Sequence, residues 1–222
     1  MSDLLHELQA EHALIDAVLG SLRTYVSRRV RDGLSPDDAA GFLRFFRLYA
    51  GRFHHAREED VLFRALVDGA GLPEDRGPIA IIVREHHELG AILDALAPLL
   101  TARALGPGER DELEALALRY SHGLWHHIDA ENSVLFPEGG ERLRRAHLGP
   151  LVSRAPDAEE DAARAEGVAL VARYPPLFDA DVIRGEGCVH CPSYGVTCDG
   201  LEREWWTEHE WDELDDRAKN SE

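Results

Sequence analysis

Apolar residues recur every three or four positions from the N-terminus to about Pro137, a spacing that places them on one face of an α-helix. Four such runs are separated by glycine-containing turns at Gly33, Gly71 and Gly106. The alternating pattern of a β-strand is almost absent from this region. The pattern therefore predicts an all-α fold, an up-down-up-down four-helix bundle with short connections.

Turn and capping residues predict where the four helices begin and end. The first is expected to stop near Asp32-Gly33, and Ser35-Pro36-Asp37-Asp38 offers a cap and a proline for the start of the second. The third is expected to begin around Gly77-Pro78. The proline and glycines of Pro137-Glu138-Gly139-Gly140 are expected to end the fourth.

The chain changes character after residue 140, which predicts two domains: the four-helix bundle over residues 1–140 and a C-terminal extension over residues 141–222. The extension is predicted to contain short helices and an irregular segment that holds all three cysteines. Its last predicted helix, Leu201 to Leu214, contains three tryptophans and is expected to dock against the bundle.

The two halves of the bundle region resemble each other. Glu11-His12 in the first half matches Glu85-His86 in the second. The segment from His54 to Phe63 matches the segment from His127 to Phe136 at nearly the same separation along the chain. A duplicated helical hairpin explains both matches.

Four histidines of these repeats are predicted to meet at one level of the bundle. His12 and His54 lie equally far along the chain from Gly33, on either side of it, and His86 and His127 lie almost equally far from the Gly106-Pro107 turn. With a rise of about 1.5 Å per residue, the two members of each pair are level within a few ångströms. All four lie on the apolar stripe of their own helix, so four imidazoles are expected to point into the core.

Two glutamates share helix faces with these histidines, because Glu58 follows His54 by four positions and Glu131 follows His127 by four. Unpaired carboxylates in an apolar core would cost several kcal/mol each, and a pair of cations bridged by the carboxylates removes that cost. Mixed nitrogen and oxygen ligands favour iron or manganese. The predicted metal ligands are His12, His54, Glu58, His86, His127 and Glu131.

Four other polar residues, His55, Glu59, Glu85 and His126, each lie one position from a predicted ligand. One position corresponds to roughly 100° around an α-helix, so their side chains are expected to point away from the metal. We therefore expect them to be solvated or to hydrogen-bond to ligands rather than to bind metal.

Taken together, these motifs resemble the haemerythrin-like, or HHE cation-binding, family over residues 2 to about 137. The resemblance implies a four-helix bundle with a non-haem diiron centre that carries an oxo or hydroxo bridge. Members of the family bind dioxygen, sense oxygen, nitric oxide or iron, or handle peroxide. The motifs that carry it are Glu11-His12, His54-x-x-x-Glu58 followed by Val61-Leu62-Phe63, Glu85-His86, and His127-x-x-x-Glu131 followed by Val134-Leu135-Phe136-Pro137.

One position departs from the oxygen-carrying haemerythrins, which use a second histidine one turn after the third-helix ligand. This chain has Gly90 there, which leaves room for water, an exogenous ligand or a side chain from elsewhere. His87 is an alternative to His86 as the ligand of the third helix. The repeat favours His86, because it aligns with His12.

Composition narrows the classes of partner. The 42 acidic and 24 basic side chains give a net charge of −18, which argues against a nucleic-acid partner. No apolar run approaches the ~20 residues of a membrane span, and the N-terminus lacks the features of a signal peptide. Three clustered cysteines do not form a disulfide framework. We therefore expect a soluble, cytoplasmic protein.

The cysteine cluster predicts one of three things. Cys188, Cys191 and Cys198, with His209 or His190 as a fourth ligand, form a candidate site for one structural zinc ion. Alternatively, Cys188 and Cys191 form a redox pair. The third interpretation is that all three are thiols without a chemical role.

Three functions remain open at this point. The first is a diiron protein that binds or senses a small ligand such as dioxygen, nitric oxide or peroxide, or iron itself. The second is a diiron oxidase, oxygenase or peroxidase-like enzyme that uses an open coordination site. The third is a structural bundle without metal that interacts through its tryptophan-rich tail.

Overall fold

The structure, a computed structural model, describes residues 3–178 of the 222-residue chain. Within those residues the chain is helical and contains no strand, so the predicted all-α fold is confirmed. The α-helices are α1 (Leu4–Asp32), α2 (Ala39–Arg44), α3 (Gly77–Thr101), α4 (Pro107–Ala130), α5 (Phe136–Arg145) and α6 (Ala158–Arg173). Four further stretches have the wider i→i+5 hydrogen bonding of a π-helix, namely Phe45–His55, Glu58–Phe63, Ala65–Gly69 and Glu131–Leu135.

These elements join into four bundle helices. α1 and α3 are the first and third. The second bundle helix consists of α2 and the three π-helical stretches that follow it, and it ends before Gly71, whose φ is 73°. The fourth bundle helix consists of α4, the π-helical stretch Glu131–Leu135 and α5, with helical backbone at both junctions. α4 packs against α1 and α3, which both also contact the second bundle helix.

Most of the predicted helix boundaries agree with the structure, and the start of the second bundle helix differs. α1 ends at Gly33, whose φ of 67° is the left-handed conformation that favours glycine. The second bundle helix begins at Ala39 rather than at the predicted Ser35-Pro36. Asp38 does not cap it, because its carboxylate accepts hydrogen bonds from Arg173 and from the hydroxyl of Tyr174, the latter at 2.5 Å. These contacts tie α6 to the bundle.

The predicted end of the fourth helix is wrong, because the helix continues through Pro137 and both glycines to Arg145. In a regular α-helix a proline ring clashes with the carbonyl four residues earlier. The carbonyl four residues before Pro137 belongs to Ser133, which lies in the π-helical stretch Glu131–Leu135, and the wider turn there relieves that clash. The helix therefore crosses residue 140, and the division into two domains at that position stays a prediction.

Two apolar clusters fill the bundle, and each bundle helix contributes to both. The larger cluster includes Ile15, Phe53, Leu89 and Leu124, whereas the smaller includes Leu8, Leu62, Ile82 and Leu135. The four predicted histidine ligands lie between these clusters along their helices. The candidate metal site is therefore a polar layer between two apolar cores.

α6 packs as a fifth helix across α1 and the second bundle helix, in agreement with the short helices predicted for the extension. A Cβ atom at Gly167 would lie 2.3 Å from Cδ2 of Phe45, so only glycine permits this approach. Glu160 of α6 is completely buried and accepts hydrogen bonds from Arg154 at 2.6 and 2.7 Å and from Arg52 at 3.1 Å. Apolar contact and buried charge together attach α6 to the bundle.

Among the helices of residues 3–178, none combines the length and the apolar character that crossing a bilayer requires. Several predictions concern residues outside the described range. These are the zinc or redox role of Cys188, Cys191, Cys198 and His209, and the tryptophan-containing helix from Leu201 to Leu214. They remain predictions.

Candidate metal centre

Each bundle helix carries one of the four predicted histidine ligands at the same level. All four imidazoles are buried, and the two predicted carboxylate ligands are completely excluded from solvent. The structure thus brings the six predicted side chains into one buried cluster, while their role as metal ligands stays a prediction. They are His12 on α1, His54 and Glu58 on the second bundle helix, His86 on α3, and His127 and Glu131 on the fourth bundle helix.

The four imidazoles form two pairs whose Nε2 atoms face each other. These atoms are 2.9 Å apart in His12 and His54, and 3.1 Å apart in His86 and His127. The Nδ1 atom of each ring hydrogen-bonds to an oxygen elsewhere, so both facing Nε2 atoms present lone pairs. Two lone pairs this close repel each other unless a proton or a cation lies with them.

Each glutamate reaches both histidine pairs. Glu58 places Oε1 3.4 Å from Nε2 of His54 and Oε2 3.5 Å from Nε2 of His86. Glu131 places Oε2 3.2 Å from Nε2 of His12 and Oε1 3.4 Å from Nε2 of His127. Each carboxylate therefore spans the two pairs, which is how a carboxylate bridges two cations.

The carboxylate oxygens provide a test of whether a metal fits this site. All four oxygens of Glu58 and Glu131 are buried and have no hydrogen-bond partner. Leaving buried polar atoms unsatisfied is costly, and charged ones cost most. Because imidazole nitrogens and carboxylate oxygens are suitable ligands for iron and manganese, a pair of such cations would satisfy the orphaned oxygens and the facing lone pairs together.

Each imidazole is oriented by one hydrogen bond at Nδ1, the ring nitrogen that points away from the facing Nε2 atoms. His12 donates from Nδ1 to Oδ1 of Asn132 at 2.9 Å, and the other three rings donate to carboxylates. The carboxylate partners are Glu11 for His54 at 2.8 Å, Glu59 for His86 at 2.6 Å and Glu85 for His127 at 3.0 Å. These bonds fix the tautomer in which Nε2 is free to bind metal, and they raise the basicity of the ring. Glu59 and Glu85 thus hydrogen-bond to predicted ligands, one of the two roles expected for them.

The internal repeat is visible in this set of partners. Glu11 and Glu85 occupy equivalent positions in the two halves, and so do Glu59 and Asn132. The partner of His12 is therefore an amide where the repeat places a carboxylate. The Asn132 contact was not expected from the sequence, although aligning the two repeats indicates the position.

His55 lies in the cluster, contrary to the expectation that it points away. Its ring stacks on that of His86 with centroids 3.9 Å apart and 8° between the planes. His55, His86 and His127 each place one ring nitrogen within 4.8 Å of a ring nitrogen of the other two. The expectation assumed α-helical geometry, whereas His55 ends a π-helical stretch, in which successive side chains are separated by a smaller angle. His54 and His55 therefore both face the centre.

Burial favours the neutral form of three of these imidazoles, those of His54, His55 and His86. It lowers the pKa of His54 and His55 well below the ordinary value and that of His86 to about 3, and neighbouring imidazoles add to the effect. These rings are neutral at physiological pH, the form that binds metal. Burial acts on His127 in the same direction, but the carboxylates of Glu131 and Glu85 outweigh it and raise its pKa.

The two buried glutamates differ in protonation when no cation is present. Burial, reinforced by the adjacent Glu131 carboxylate, raises the pKa of Glu58 well above its usual range. Burial also acts to raise the pKa of Glu131, but the imidazoles of His127, His12 and His86 outweigh it and lower the pKa to about 2. The environment therefore favours the ionised form of Glu131 over that of Glu58, and a bound cation would favour ionisation of both.

A buried arginine supports one of the hydrogen-bonded carboxylates. Arg57 is 2 % exposed and donates to Glu11, the partner of His54, and to Glu7. Its guanidinium also lies over the ring of Phe53, 4.5 Å from the centroid. Sequence patterns do not indicate this role, because an arginine on a helix is usually exposed.

Two positions on α3 that bear on the choice of ligand, His87 and Gly90, lie at the surface. His87 is exposed, whereas His86 is buried with Nε2 facing His127, so the geometry favours His86 as the ligand. Gly90 is exposed as well, and a Cβ atom there would meet no atom within 4 Å. The third imidazole beside His86 and His127 comes instead from His55 on the second bundle helix.

Comparison with known proteins gives one match. Residues 3–138 match the Hemerythrin HHE cation binding domain family, which confirms the resemblance found in the sequence motifs. No curated protein and no solved structure shows significant similarity to the chain. The matched region contains all six predicted ligands, His55, and the four hydrogen-bond partners of the imidazoles.

Proposed function

Because the chain belongs to the Hemerythrin HHE cation binding domain family, we propose that it holds two iron ions bridged by Glu58 and Glu131 and binds a small ligand at that centre. The ligand is dioxygen, nitric oxide or peroxide, or the protein senses iron through occupancy of the site itself. Manganese is the alternative metal.

One observation supports the proposal most strongly. The two glutamates present four buried oxygens without hydrogen-bond partners, and each glutamate reaches one histidine of both pairs. A single cation would satisfy one side of this arrangement only. Two cations satisfy both sides and account for the paired geometry.

The two sides of the centre differ in the number of imidazoles. His86, His127 and His55 form one group, and His12 and His54 form another with the two glutamates. A bound iron ion supplies Lewis acidity and redox chemistry to a small ligand. The side of His12 and His54 offers fewer imidazoles, which supports binding of the small molecule there.

An enzymatic function is the alternative. The smaller number of imidazoles on the side of His12 and His54 favours it as well, because an open coordination position also admits a substrate. The donor set weighs against it. Five imidazoles and two carboxylates make this centre richer in histidine than the carboxylate-dominated diiron sites of ferritin-like bundles. Neutral ligands support high-valent iron less well than anionic ones do. Binding or sensing is therefore the function that we propose first.

The experiment is elemental analysis of the purified full chain with its visible spectrum under air, after reduction and after addition of nitric oxide or peroxide. We expect two iron ions per chain, a charge-transfer band in the oxidised form and stoichiometric, reversible spectral change with the ligand. Protein that contains fewer than two metal ions per chain after reconstitution with excess Fe(II) would contradict the proposal.

The same samples separate the two functions. Multiple turnovers of peroxide or of an organic electron donor by the iron-loaded protein select the enzyme. A spectral change that saturates at one ligand per centre, without turnover, selects binding or sensing.

A further inference from the structure

Three cavities approach the buried centre from different sides. One, of about 470 Å³, lies between the second bundle helix and α3 and is lined by Glu59. A second, of about 540 Å³, lies beside α6 and is lined by Glu11. The third is a cleft of about 180 Å³ between α1 and the fourth bundle helix, lined by Asn132. Each cavity therefore touches one residue that hydrogen-bonds to an imidazole of the centre.

Charge distinguishes these cavities as routes for a cation. In the first cavity two arginines, Arg64 and Arg84, are balanced by two glutamates, and in the second three arginines, Arg57, Arg154 and Arg164, are balanced by three carboxylates. The described residues that line the cleft between α1 and the fourth bundle helix include two carboxylates, Asp16 and Asp129, two amides, and no lysine or arginine. Acidic walls raise the local concentration of cations, and carboxylate and amide oxygens bind hard divalent ions.

Contact with the centre distinguishes them as well. Of these three cavities, only the cleft is lined by one of the predicted metal ligands, His12. His12 places Nε2 3.2 Å from Oε2 of Glu131 on its inner side. A cation in the cleft is thus one imidazole away from the orphaned carboxylate oxygens.

We propose that the cleft between α1 and the fourth bundle helix is the route by which metal ions reach the centre, with Asp16 and Asp129 attracting the ion and Asn132 and His12 passing it inward. Metal uptake then needs only movement of the His12 and Asn132 side chains, not opening of the bundle. This inference rests on the proposed function insofar as cations occupy the centre.

Each cavity is lined by an alanine on a bundle helix, which permits a matched experiment. Ala13 lines the cleft between α1 and the fourth bundle helix, and Ala10 lines the cavity beside α6. Ala80 lines the cavity between the second bundle helix and α3. Ala10 and Ala13 are exposed and Ala80 is half-buried, so a larger side chain is tolerated. Ala13→Leu, Ala10→Leu and Ala80→Leu therefore each narrow one cavity in an otherwise unchanged bundle.

The measurement is stopped-flow uptake of Co(II), followed by its visible absorbance, into the metal-free full chain. We expect Ala13→Leu to slow uptake several-fold with the final stoichiometry unchanged, and Ala10→Leu and Ala80→Leu to match the wild type. The Asp16→Asn/Asp129→Asn variant should lower the rate about tenfold at low salt and weaken its dependence on ionic strength. Far-UV circular dichroism verifies that each variant is folded.

Failure of the route is distinguishable from failure of the proposed function. If the wild type binds no Co(II), both the proposed route and the proposed function are wrong. Suppose instead that the wild type binds two ions, but Ala13→Leu and the Asp16→Asn/Asp129→Asn variant take up Co(II) at the wild-type rate. The proposed route is then wrong, whereas the proposed metal centre is supported. The route is also wrong if one of the other two alanine variants is the slow one, or if Co(II) enters only during refolding.

Discussion

Each of the four imidazoles predicted to bind metal is oriented by one hydrogen bond at Nδ1, and the identity of the acceptor affects how strong a ligand the ring would be. A carboxylate draws the Nδ1 proton more strongly than an amide does and so makes Nε2 a better electron donor. Three imidazoles have carboxylate partners, and His12 has Asn132. His12 is therefore the weakest of the four donors, and it is also the one that lines the cleft between α1 and the fourth bundle helix.

His55 provides a prediction at this scale. The repeat places Ile128 at the position equivalent to His55, so His55→Ile gives the two halves of the centre the same side chain at these positions. The variant should weaken one of the two metal-binding steps by about tenfold or more, because an imidazole beside His86 and His127 is lost. Calorimetric titration of the metal-free protein with Co(II) measures both steps.

His87→Ile is the matched control, since His87 also neighbours a ligand but is exposed. It should leave both steps unchanged. If His87→Ile lost a binding step while His55→Ile bound metal normally, the third imidazole would belong to His87 rather than to His55.

At the scale of elements, π-helical winding shapes the second bundle helix. The α-helical spacing continues the stripe of His54 and Glu58 through Val61 and Ala65. The structure instead buries Leu62 and Leu66 and leaves Val61 and Ala65 half-buried. The wider turns shift the buried face by one residue after the glutamate, and they also rotate His55 toward the centre. π-helical turns are frequent at functional sites, and this shift is what they contribute here.

The attachment of α6 gives a prediction with a pH dependence. The hydrogen bonds from Arg154, together with those from Asp157 and Arg52, outweigh burial and lower the pKa of Glu160 to about 2. A folded-state pKa below the unfolded one stabilises the fold above the unfolded value. We expect Glu160→Gln to lower the free energy of unfolding at pH 7 by about 2 kcal/mol. The difference from the wild type should shrink as pH falls from about 4.5 toward 2.

Urea denaturation at several pH values measures this difference. Glu159→Gln is the control, because Glu159 pairs with the same Arg52 at 2.9 Å but is largely exposed. Exposed pairs contribute about 0–1 kcal/mol, so its effect should be small at every pH. An equal effect of the two variants at pH 7 would show that the buried Glu160 is not what attaches α6.

For the whole molecule, we expect the polar layer between two apolar cores to make stability depend on metal binding. Without cations the bundle holds two facing pairs of imidazoles and four unsatisfied carboxylate oxygens. We expect chelation to lower the free energy of unfolding by about 3 kcal/mol per site when the free ion is a hundredfold above its dissociation constant. Thermal unfolding with and without added metal measures the change.

His54→Leu/Glu58→Leu is the informative variant for this prediction. It replaces buried polar groups by apolar ones, so its metal-free form should be at least as stable as the metal-free wild type. Its response to metal should be much smaller, because a ligand and a bridging carboxylate are gone. An unchanged wild-type melting temperature after chelation would instead favour a structural bundle without metal.

The fold and most of the cluster were predictable because both depend on regular helical geometry. Apolar periodicity fixes four amphipathic helices, and equal distances from tight turns bring His12 level with His54 and His86 level with His127. Where the backbone departs from α-helical winding, the predictions failed. His55 was assigned to the wrong side, and the fourth helix was ended at Pro137, in both cases next to π-helical turns.

The sequence by itself determined the all-α bundle, its internal repeat and the level at which six potential ligands meet, because these follow from spacing along single helices. Only the tertiary structure decided that Glu58 and Glu131 each reach both histidine pairs, that Asn132 replaces a carboxylate behind His12, and that Arg57 is buried. These features depend on distances between different helices. Such distances are set by packing and local winding, which hydrophobic periodicity does not encode.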